Sequence, residues 1–393
     1  MMSKKYARFL SALFCGFLAL LFAANALTPD KAMSENENRV LAQKPKITAN
    51  TFRLPPLSGL FSSDQGGDFF TGKLMENYET YVIDQFVLRD GWVAAKAFSE
   101  KLVGKSENNG VYFCDDSTLI SRFDEPDANR LERNLNNVVK FMNNDKVTVP
   151  VYFGLIPTQA RIWADKLPAG APNADQGQIM AQAAQTVGEN FIDLTQALES
   201  HKDEAIFYRT DHHWTSLGAY YGYRGLSQAL GYDPIPLTDY TKTTVSTEFY
   251  GTTFSNSGVR WVKPDEMDIY VPADGIEVTS TFSGTPEEGT LYAWEKLEIK
   301  DKYTFFMGGN QSLGVVKTGN TDKPKLLIIR DSYTDSLVPF LTPHYSEIHL
   351  VDLRYYKQSI AGYIQNNGID AALILYSVPN FVGESNLGFL NVG

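Results

Sequence analysis

Cysteine is scarce in this chain, and the positions of its two cysteines exclude a disulfide-stabilised fold. Among 393 residues only Cys15 and Cys114 are cysteines. Cys15 lies inside an apolar N-terminal run, so removal of that run would leave a single thiol without an internal partner. A chain of this length can rely on a buried core instead of crosslinks. We expect Cys114 to be a small packed hydrophobic residue.

Positive charge is also in deficit. The chain has 35 lysines and arginines against 46 acidic residues, which gives a formal net charge of −11 at pH 7. Proteins that bind nucleic acids need a basic surface for the phosphate backbone, so this composition argues against a nucleic-acid partner. An acidic chain is not drawn to anionic lipid by charge either. Any attachment to a membrane must therefore be hydrophobic.

Recognisable metal-binding motifs are missing from the sequence. Only five histidines occur, and there is no HExxH motif and no cysteine cluster. His201, His344 and His349 lack the spacing of metal ligands. The adjacent His212 and His213 are expected to diverge, because successive side chains leave opposite sides of an extended backbone. We therefore predict no metal and no other cofactor.

One long apolar run stands at the N-terminus. Residues 9–27 contain no charged side chain, and three basic residues precede them. The sequence Ala24-Asn25-Ala26 has the small-x-small form of a signal-peptidase site. The run is also long enough to span a bilayer as a helix. Residues 1–27 are therefore predicted to be either a signal peptide or a membrane anchor, with the remainder outside the cytoplasm.

The rest of the chain has two predicted parts. Residues 28–67 are rich in Pro, Ser, Asn and Gly, which is typical of a linker or wrapping segment. Residues 68–393 are predicted to form an α/β catalytic domain, because apolar strands alternate with helical patterns as in a parallel sheet. Residues 235–320 interrupt this alternation and are predicted to be a β-rich insertion. The predicted strands are 147–156, 191–194, 325–330, 347–351 and 370–376.

The segment Thr210-Asp211-His212-His213-Trp214 contains a candidate acid–base pair. Asp211 and His213 are two residues apart, so in extended backbone their side chains leave on the same side. A carboxylate there accepts the imidazole Nδ1–H and stabilises the imidazolium that forms during proton transfer. His212 would then point away from the pair. The alternative is a polar turn in which Asp211 caps a helix, but two of the five histidines beside an aspartate favour catalysis.

A nucleophile that suits this base follows a predicted strand near the C-terminus. Ser332 comes shortly after the apolar strand 325–330 and before a helical segment. A strand, a sharp turn and a helix expose a serine hydroxyl at the edge of a parallel sheet. The start of the helix would also direct backbone N–H groups at an oxyanion. Simple helix capping by Asp331 or Ser332 is the structural alternative.

These motifs resemble the DHHW family, which is related to the alginate O-acetyltransferase proteins within the SGNH-hydrolase-like superfamily. The similarity includes Asp211-His212-His213-Trp214 and Asp331-Ser332-Tyr333. Residues 37–45, 81–90 and 308–310 are similar to that family as well, so the resemblance covers most of the chain beyond the export signal. Relatives usually have glycine where this chain has Arg330, which puts the shape of the turn before the serine in question.

The resemblance implies an SGNH-like, flavodoxin-like three-layer sandwich and a catalytic triad of Ser332, His213 and Asp211. It also implies an oxyanion hole that includes the Ser332 N–H, together with a glycine amide and an asparagine side chain. A plain hairpin turn at residues 308–310 is the alternative. The candidate oxyanion and substrate-binding residues are Asn310, Gly309, Arg330 and Tyr333.

The implied activity is that of an extracytoplasmic serine-dependent O-acyltransferase. Ser332 would take an acyl group, expected to be acetyl, and pass it to a hydroxyl of a polysaccharide. A membrane-bound O-acyltransferase is the implied acyl donor. Two alternatives stay open: a carbohydrate acetylesterase, in which water replaces the sugar, and a non-catalytic polysaccharide-binding scaffold. Sequence does not separate transferase from esterase, because the acylation step is the same in both.

Overall fold

The computed structural model describes residues 4–55, 66–271, 277–282 and 285–393. The chain divides into two compact units, Met1–Gly104 and Lys105–Gly393. The predicted boundaries at residues 27 and 67 both fall in the first unit, and part of the predicted linker, residues 56–65, lies outside the described residues.

The first unit is mainly helical. Its elements are α1 (Lys4–Leu27), β1 (Met33–Ser34), β2 (Arg39–Val40), α2 (Lys73–Asp84) and α3 (Arg89–Leu102). Helix α1 is long and apolar enough to cross a membrane by length and composition, with a mean hydropathy of 2.1. The Asn25 side chain accepts the Val87 N–H at 2.9 Å, and Arg39 donates to the Asp84 carboxylate at 2.8 Å. These contacts join the end of α1 to the segment between α2 and α3, and β2 to the end of α2.

An eight-stranded sheet lies at the centre of the second unit. The strands of this unit are β3 (Glu107–Asn108), β4 (Val111–Phe113), β5 (Leu119–Ser121), β6 (Val151–Ile156), β7 (Phe191–Asp193), β8 (Thr241–Phe249), β9 (Asp265–Val271), β10 (Glu277–Phe282), β11 (Thr285–Gly289), β12 (Leu313–Lys317), β13 (Lys325–Arg330), β14 (Glu347–Val351) and β15 (Ala371–Ser377). The central sheet has the order β11-β10-β12-β14-β13-β15-β6-β7. Strands β14, β13, β15, β6 and β7 are parallel, and β12, β10 and β11 extend one edge in antiparallel pairs.

Helices connect the parallel strands. The α-helices of the second unit are α4 (Ala128–Met142), α5 (Gln159–Ile162), α6 (Gln176–Val187), α7 (Thr195–Glu199), α8 (Ser216–Leu230), α9 (Thr252–Ser257), α10 (Val338–Leu341), α11 (Ile360–Asn367) and α12 (Val378–Gly383). The crossovers β13–α10–β14 and β14–α11–β15 run in opposite directions along the sheet. Right-handed crossovers therefore place α10 and α11 on opposite faces of the sheet.

The predicted α/β class is confirmed, because a large and mostly parallel sheet forms the centre of the unit. Its strands β6, β13 and β15 are mostly apolar, as is usual for parallel strands covered on both faces. Strands β13 and β14 have the predicted bounds. Strand β6 begins at Val151 rather than at residue 147, since the preceding Pro150 has no N–H to donate to a ladder.

The range predicted as a β-rich insertion, residues 235–320, contains strands β8 to β12. Strands β8 and β9 pair with each other, while β10, β11 and β12 belong to the central sheet. That this range is an insertion stays a prediction, and its residues 272–276 and 283–284 lie outside the described part. Helix α9 interrupts the strands. The sequence pattern did not predict this helix, although its first residue, Thr252, holds the side chain of Asp211.

Candidate active site

Asp211, His213 and Ser332 form a continuous chain of hydrogen bonds. The Ser332 hydroxyl donates to His213 Nε2 at 2.7 Å, and His213 Nδ1–H donates to Asp211 Oδ1 at 2.6 Å. The acid and the base are buried, with 1% and 4% of their surface exposed, whereas Ser332 keeps intermediate exposure. A partly open hydroxyl bonded to an oriented imidazole is the arrangement of an activated serine.

The acid and the base occupy the tip of a tight loop. Phe207 and Trp214 form an antiparallel bridge at its base. Inside the loop, the Gln159 side-chain amide donates to the Tyr208 and Asp211 carbonyls at 2.6 and 2.7 Å. Buried carbonyls need such partners. The amide therefore fixes the loop from within.

The start of helix α9 holds the Asp211 carboxylate. Thr252 donates to Asp211 Oδ2 from its N–H at 2.7 Å and from its hydroxyl at 3.0 Å. A Cβ at Gly251 would lie 2.2 Å from the same carboxylate oxygen, so only glycine fits there. Sequence reasoning assigned no role to either residue, because they lie in a Thr/Ser-rich stretch without helical periodicity.

Ser332 follows β13, which has parallel neighbours on both sides. Before it, Asp331 Oδ2 accepts the N–H and the hydroxyl of Ser377, each at 2.8 Å, which fixes the turn to the end of β15. Asp331 Oδ1 accepts the Tyr333 N–H at 3.0 Å as a helix cap. The capping alternative thus describes Asp331, while the serine hydroxyl is directed at His213.

Trp214 links the base loop to the nucleophile turn. Its indole N–H donates to the Tyr333 carbonyl at 2.9 Å and to Ser336 Oγ at 3.0 Å. The ring is completely buried, and a Cβ at Gly222 of α8 would lie 2.7 Å from it. The tryptophan of the motif therefore sets the separation between the base and the serine.

Tyr303 is a site residue that sequence reasoning missed. Its ring stacks on the His213 imidazole, and its hydroxyl donates to the Ser332 carbonyl at 3.2 Å. Burial raises the pKa of Tyr303 well above its usual 10, so the phenol stays protonated and can donate. No spacing in the sequence points to it, because it comes from a short 3₁₀ turn (Lys302–Phe305) distant from both motifs.

The expectation that His212 points away from the pair is wrong. Its ring lies beside His213, with centroids 3.8 Å apart. His212 Nδ1 is 2.5 Å from Thr252 Oγ1 and 3.7 Å from Asp211 Oδ1. Alternation of side chains requires an extended backbone, whereas residues 209–213 form a bend at the loop tip. The bend brings both imidazoles to the same side.

The electrostatics of the site favour an ionised aspartate and a neutral His212. Burial alone would raise the pKa of Asp211, but the adjacent His212 and His213 and the hydrogen bonds to the carboxylate hold that pKa well below its usual range. Burial, followed by the charge of His213, lowers the pKa of His212 from 6.5 to about 4 against the opposing effect of Asp211. A permanent carboxylate is what an orienting triad acid requires.

The predicted oxyanion residues lie on a sharp turn. Met307, Gly308 and Gly309 have successive positive φ angles of 59°, 76° and 106°. The Gly309 N–H already donates to the Phe306 carbonyl at 3.4 Å. Asn310 is exposed, and its Oδ1 accepts from an arginine side chain at 3.0 Å. Within the described residues neither group is hydrogen-bonded to the triad, so their oxyanion role stays a prediction.

Arg330 and Tyr333, predicted as substrate contacts, are both buried, each with 1% of its surface exposed. Arg330 donates to the Asp335 carboxylate at 3.2 Å beneath the nucleophile turn. The Tyr333 hydroxyl donates to the His212 carbonyl. Each side chain thus holds the segment around Ser332, and its contact with substrate stays a prediction.

Asp211, His212 and His213 are also the one group of potential metal ligands within the described ranges, with ligand atoms within 4.8 Å of one another. The Asp211 oxygens, both His213 nitrogens and His212 Nδ1 are already engaged. Both nitrogens of His213 are hydrogen-bonded within the triad, and His212 Nδ1 meets Thr252. A metal held by all three residues would have to displace a hydrogen bond of His213 to Ser332 or Asp211, so the residues present do not fit a resident metal.

A large cleft in the described part of the chain does not include the triad. It has a volume of about 1090 Å³ and is bordered by Trp163, Arg209, Lys242 and Asp268, among others. The triad residues do not line it. The hydrogen-bonded geometry, rather than the size of a cavity, locates the candidate active site.

Comparisons with known proteins agree with the fold and the motifs. A family model described as DHHW protein matches residues 104–351, a range that contains the three triad residues. A DHHW family protein from Eubacterium siraeum has a similar structure, with 27% identity over 73% of this chain and 96% of that chain and a TM-score of 0.60. A search of curated protein sequences finds no match.

Two further solved structures match this chain. Bacillus cereus PatB1 with a sulfonyl adduct is 22% identical over 72% of this chain and 98% of that chain, with a TM-score of 0.61. The O-acetyltransferase domain of Pseudomonas putida AlgJ is 16% identical over 72% of this chain and 95% of that chain, with a TM-score of 0.45.

Proposed function

The chain belongs to the DHHW family, as its motifs predicted, and we propose that it is an extracytoplasmic serine-dependent O-acyltransferase that acetylates a polysaccharide. The observation that carries this proposal is the continuous Asp211–His213–Ser332 hydrogen-bond chain with a partly exposed hydroxyl at its end. Such a chain serves covalent acyl transfer. The SGNH-like three-layer arrangement around the parallel sheet belongs to the same proposal.

In the proposed reaction His213 Nε2 removes the Ser332 proton as Oγ attacks the acyl carbonyl carbon, and the proton passes to the departing group of the donor. The acceptor hydroxyl then loses its proton to His213 and attacks the same carbon. The bond to Ser332 Oγ breaks, and Oγ regains the proton from His213. Asp211, which is held ionised, stabilises the imidazolium in both steps.

Helix α1 supports the extracytoplasmic location, because its apolar length suits an export signal or an anchor. If retained, an anchor would hold the enzyme beside a membrane-bound O-acyltransferase, which we propose as acyl donor. Tethering raises the effective concentration of a partner without new contacts. The acetyl group and the polysaccharide acceptor follow from the family resemblance.

The test is a measurement of acetyl transfer against acetate release. Purified protein is given 4-nitrophenyl acetate with candidate cell-surface glycans, and acetyl esters on the glycan and free acetate are both quantified. We expect ester formation on at least one glycan, and its loss in Ser332→Ala. Acetate release without any glycan ester would instead identify an acetylesterase, and glycan binding without either product would identify a scaffold.

A further inference from the structure

His212 is outside the proton-transfer chain and yet lies directly against it. Its ring is 3.8 Å from that of His213. Its Nδ1 is 2.5 Å from Thr252 Oγ1, and the same hydroxyl is 3.0 Å from Asp211 Oδ2. The three groups form a second hydrogen-bond chain that starts at the triad carboxylate.

This second chain fixes the tautomer of His212. An ionised carboxylate can only accept, so the Thr252 hydroxyl donates its proton to Asp211. Thr252 Oγ1 then has only lone pairs for His212, and His212 Nδ1 must carry the hydrogen. A neutral imidazole has one N–H, so Nε2 of His212 bears a lone pair. The ring is neutral near pH 7, since its pKa is about 4.

The lone pair of Nε2 has no hydrogen-bond donor among the residues that the structure describes. Within the described residues, the hydrogen bonds of the His212 side chain are confined to Nδ1. The side chain is 36% exposed, compared with 6% for His213. The structure thus presents an oriented hydrogen-bond acceptor on a partly accessible side chain, beside the buried base.

We propose that His212 Nε2 binds a second hydroxyl of the acceptor, next to the hydroxyl that attacks the acyl-serine. The attacking hydroxyl gives its proton to His213, its oxygen bonds to the acyl carbon, and Ser332 Oγ leaves and takes that proton. The neighbouring hydroxyl keeps its own proton and donates it as a hydrogen bond to His212. The site therefore selects sugars and other polyols over water and simple alcohols. This inference rests on the proposed function and names the acceptor class.

The experiment compares two acceptors with one donor. Protein is mixed with 4-nitrophenyl acetate in the presence of methyl β-glucoside or ethanol. The burst of 4-nitrophenolate reports acylation of Ser332, and the products give the ratio of glucoside ester to free acetate. In His212→Phe we expect this ratio to fall at least tenfold, with a much smaller change in the ratio of ethyl acetate to free acetate.

Two variants of matched polarity make the test specific. Gln places an amide oxygen near the position of Nε2, whereas Asn reaches only the position of Nδ1. His212→Gln should therefore restore much of the glucoside ratio, and His212→Asn should not. Equal ratios in the wild type and His212→Phe, or a wild-type burst without any glucoside ester, would overturn the role of His212 alone. A wild type without a burst would overturn the proposed function as well.

Discussion

The ring of Tyr303 lies flat on the imidazole of His213, with ring centroids 3.6 Å apart and planes 6° apart. The contact prevents the imidazole from turning away from Ser332. It also places an aromatic face against a ring that would become cationic in the proposed reaction, and such a contact stabilises a cation by about 0.5–2 kcal/mol. In the proposed reaction the stack would therefore stabilise the imidazolium of His213 more than its neutral form.

Replacement of Tyr303 should lower the rate according to how much of the ring remains. Tyr303→Phe keeps the stack but loses the hydroxyl contact to the Ser332 carbonyl, and Tyr303→Leu loses both. The free energy of an aromatic contact corresponds to about a tenfold change in rate. We therefore expect kcat/KM with 4-nitrophenyl acetate to be roughly tenfold lower in Tyr303→Leu than in Tyr303→Phe. Equal losses in the two variants would show that the stack does not contribute.

Gly251 should tolerate no side chain. A Cβ there would lie 2.2 Å from Asp211 Oδ2, so Gly251→Ala must displace the carboxylate from His213. We expect the burst rate to fall by about 100-fold or more, as for the loss of a triad acid. Gly319→Ala is the matched control, because a Cβ at Gly319 meets nothing within 4 Å. Normal activity of Gly251→Ala would contradict the described contact.

The stability of the protein should depend on His212 between pH 4 and pH 6.5. The pKa of His212 is about 4 in the folded protein against 6.5 as the ordinary value, so within this window the unfolded chain binds a proton that the folded chain does not. The contribution of neutral His212 to the free energy of unfolding is fully present above pH 6.5. It is lost as the pH falls towards 4, because protonation then stabilises the unfolded chain.

Urea unfolding at pH 7 and pH 4.5 tests this linkage. The free energy of unfolding should decrease more on acidification in the wild type than in His212→Gln, which has no group to titrate. The same decrease in both proteins would mean that the surroundings of His212 do not favour its neutral form.

Removal of metal ions should leave the activity unchanged. Asp211, His212 and His213 come within 4.8 Å of one another, but His213 uses both nitrogens within the triad. After dialysis against EDTA we expect the same burst amplitude and rate as before. A loss of activity that added zinc restores would contradict the triad and favour metal-dependent hydrolysis.

Part of this site could be predicted from the sequence. Ser332 follows a strand of six residues that is charged only at its two ends. Such a short apolar run is typical of a buried strand in a parallel sheet. The Asp211–His213 pair is local, since the loop tip that contains it spans only a few residues. Both motifs depend on short-range structure, which the sequence determines directly.

The remaining residues come from segments without a periodic pattern. Tyr303 and Thr252 reach the site through a short 3₁₀ turn and a six-residue helix, and tertiary contacts rather than propensity form such short elements. The orientation of His212 was predicted wrongly for a related reason. The rule of alternating side chains assumes an extended strand, and the loop closed by Phe207 and Trp214 bends instead.

The most direct measurement is the mass of the protein after reaction with 4-nitrophenyl acetate, followed by peptide mapping. We expect one added acetyl group, located on Ser332. It should also form in Cys114→Ala, in which the second unit has no thiol that could carry it. It should be absent in Ser332→Ala. A sulfonyl fluoride should modify the same serine. Acetylation of the Ser332→Ala protein at the wild-type rate, or exclusive labelling of Cys114, would contradict the assignment of Ser332 as the nucleophile.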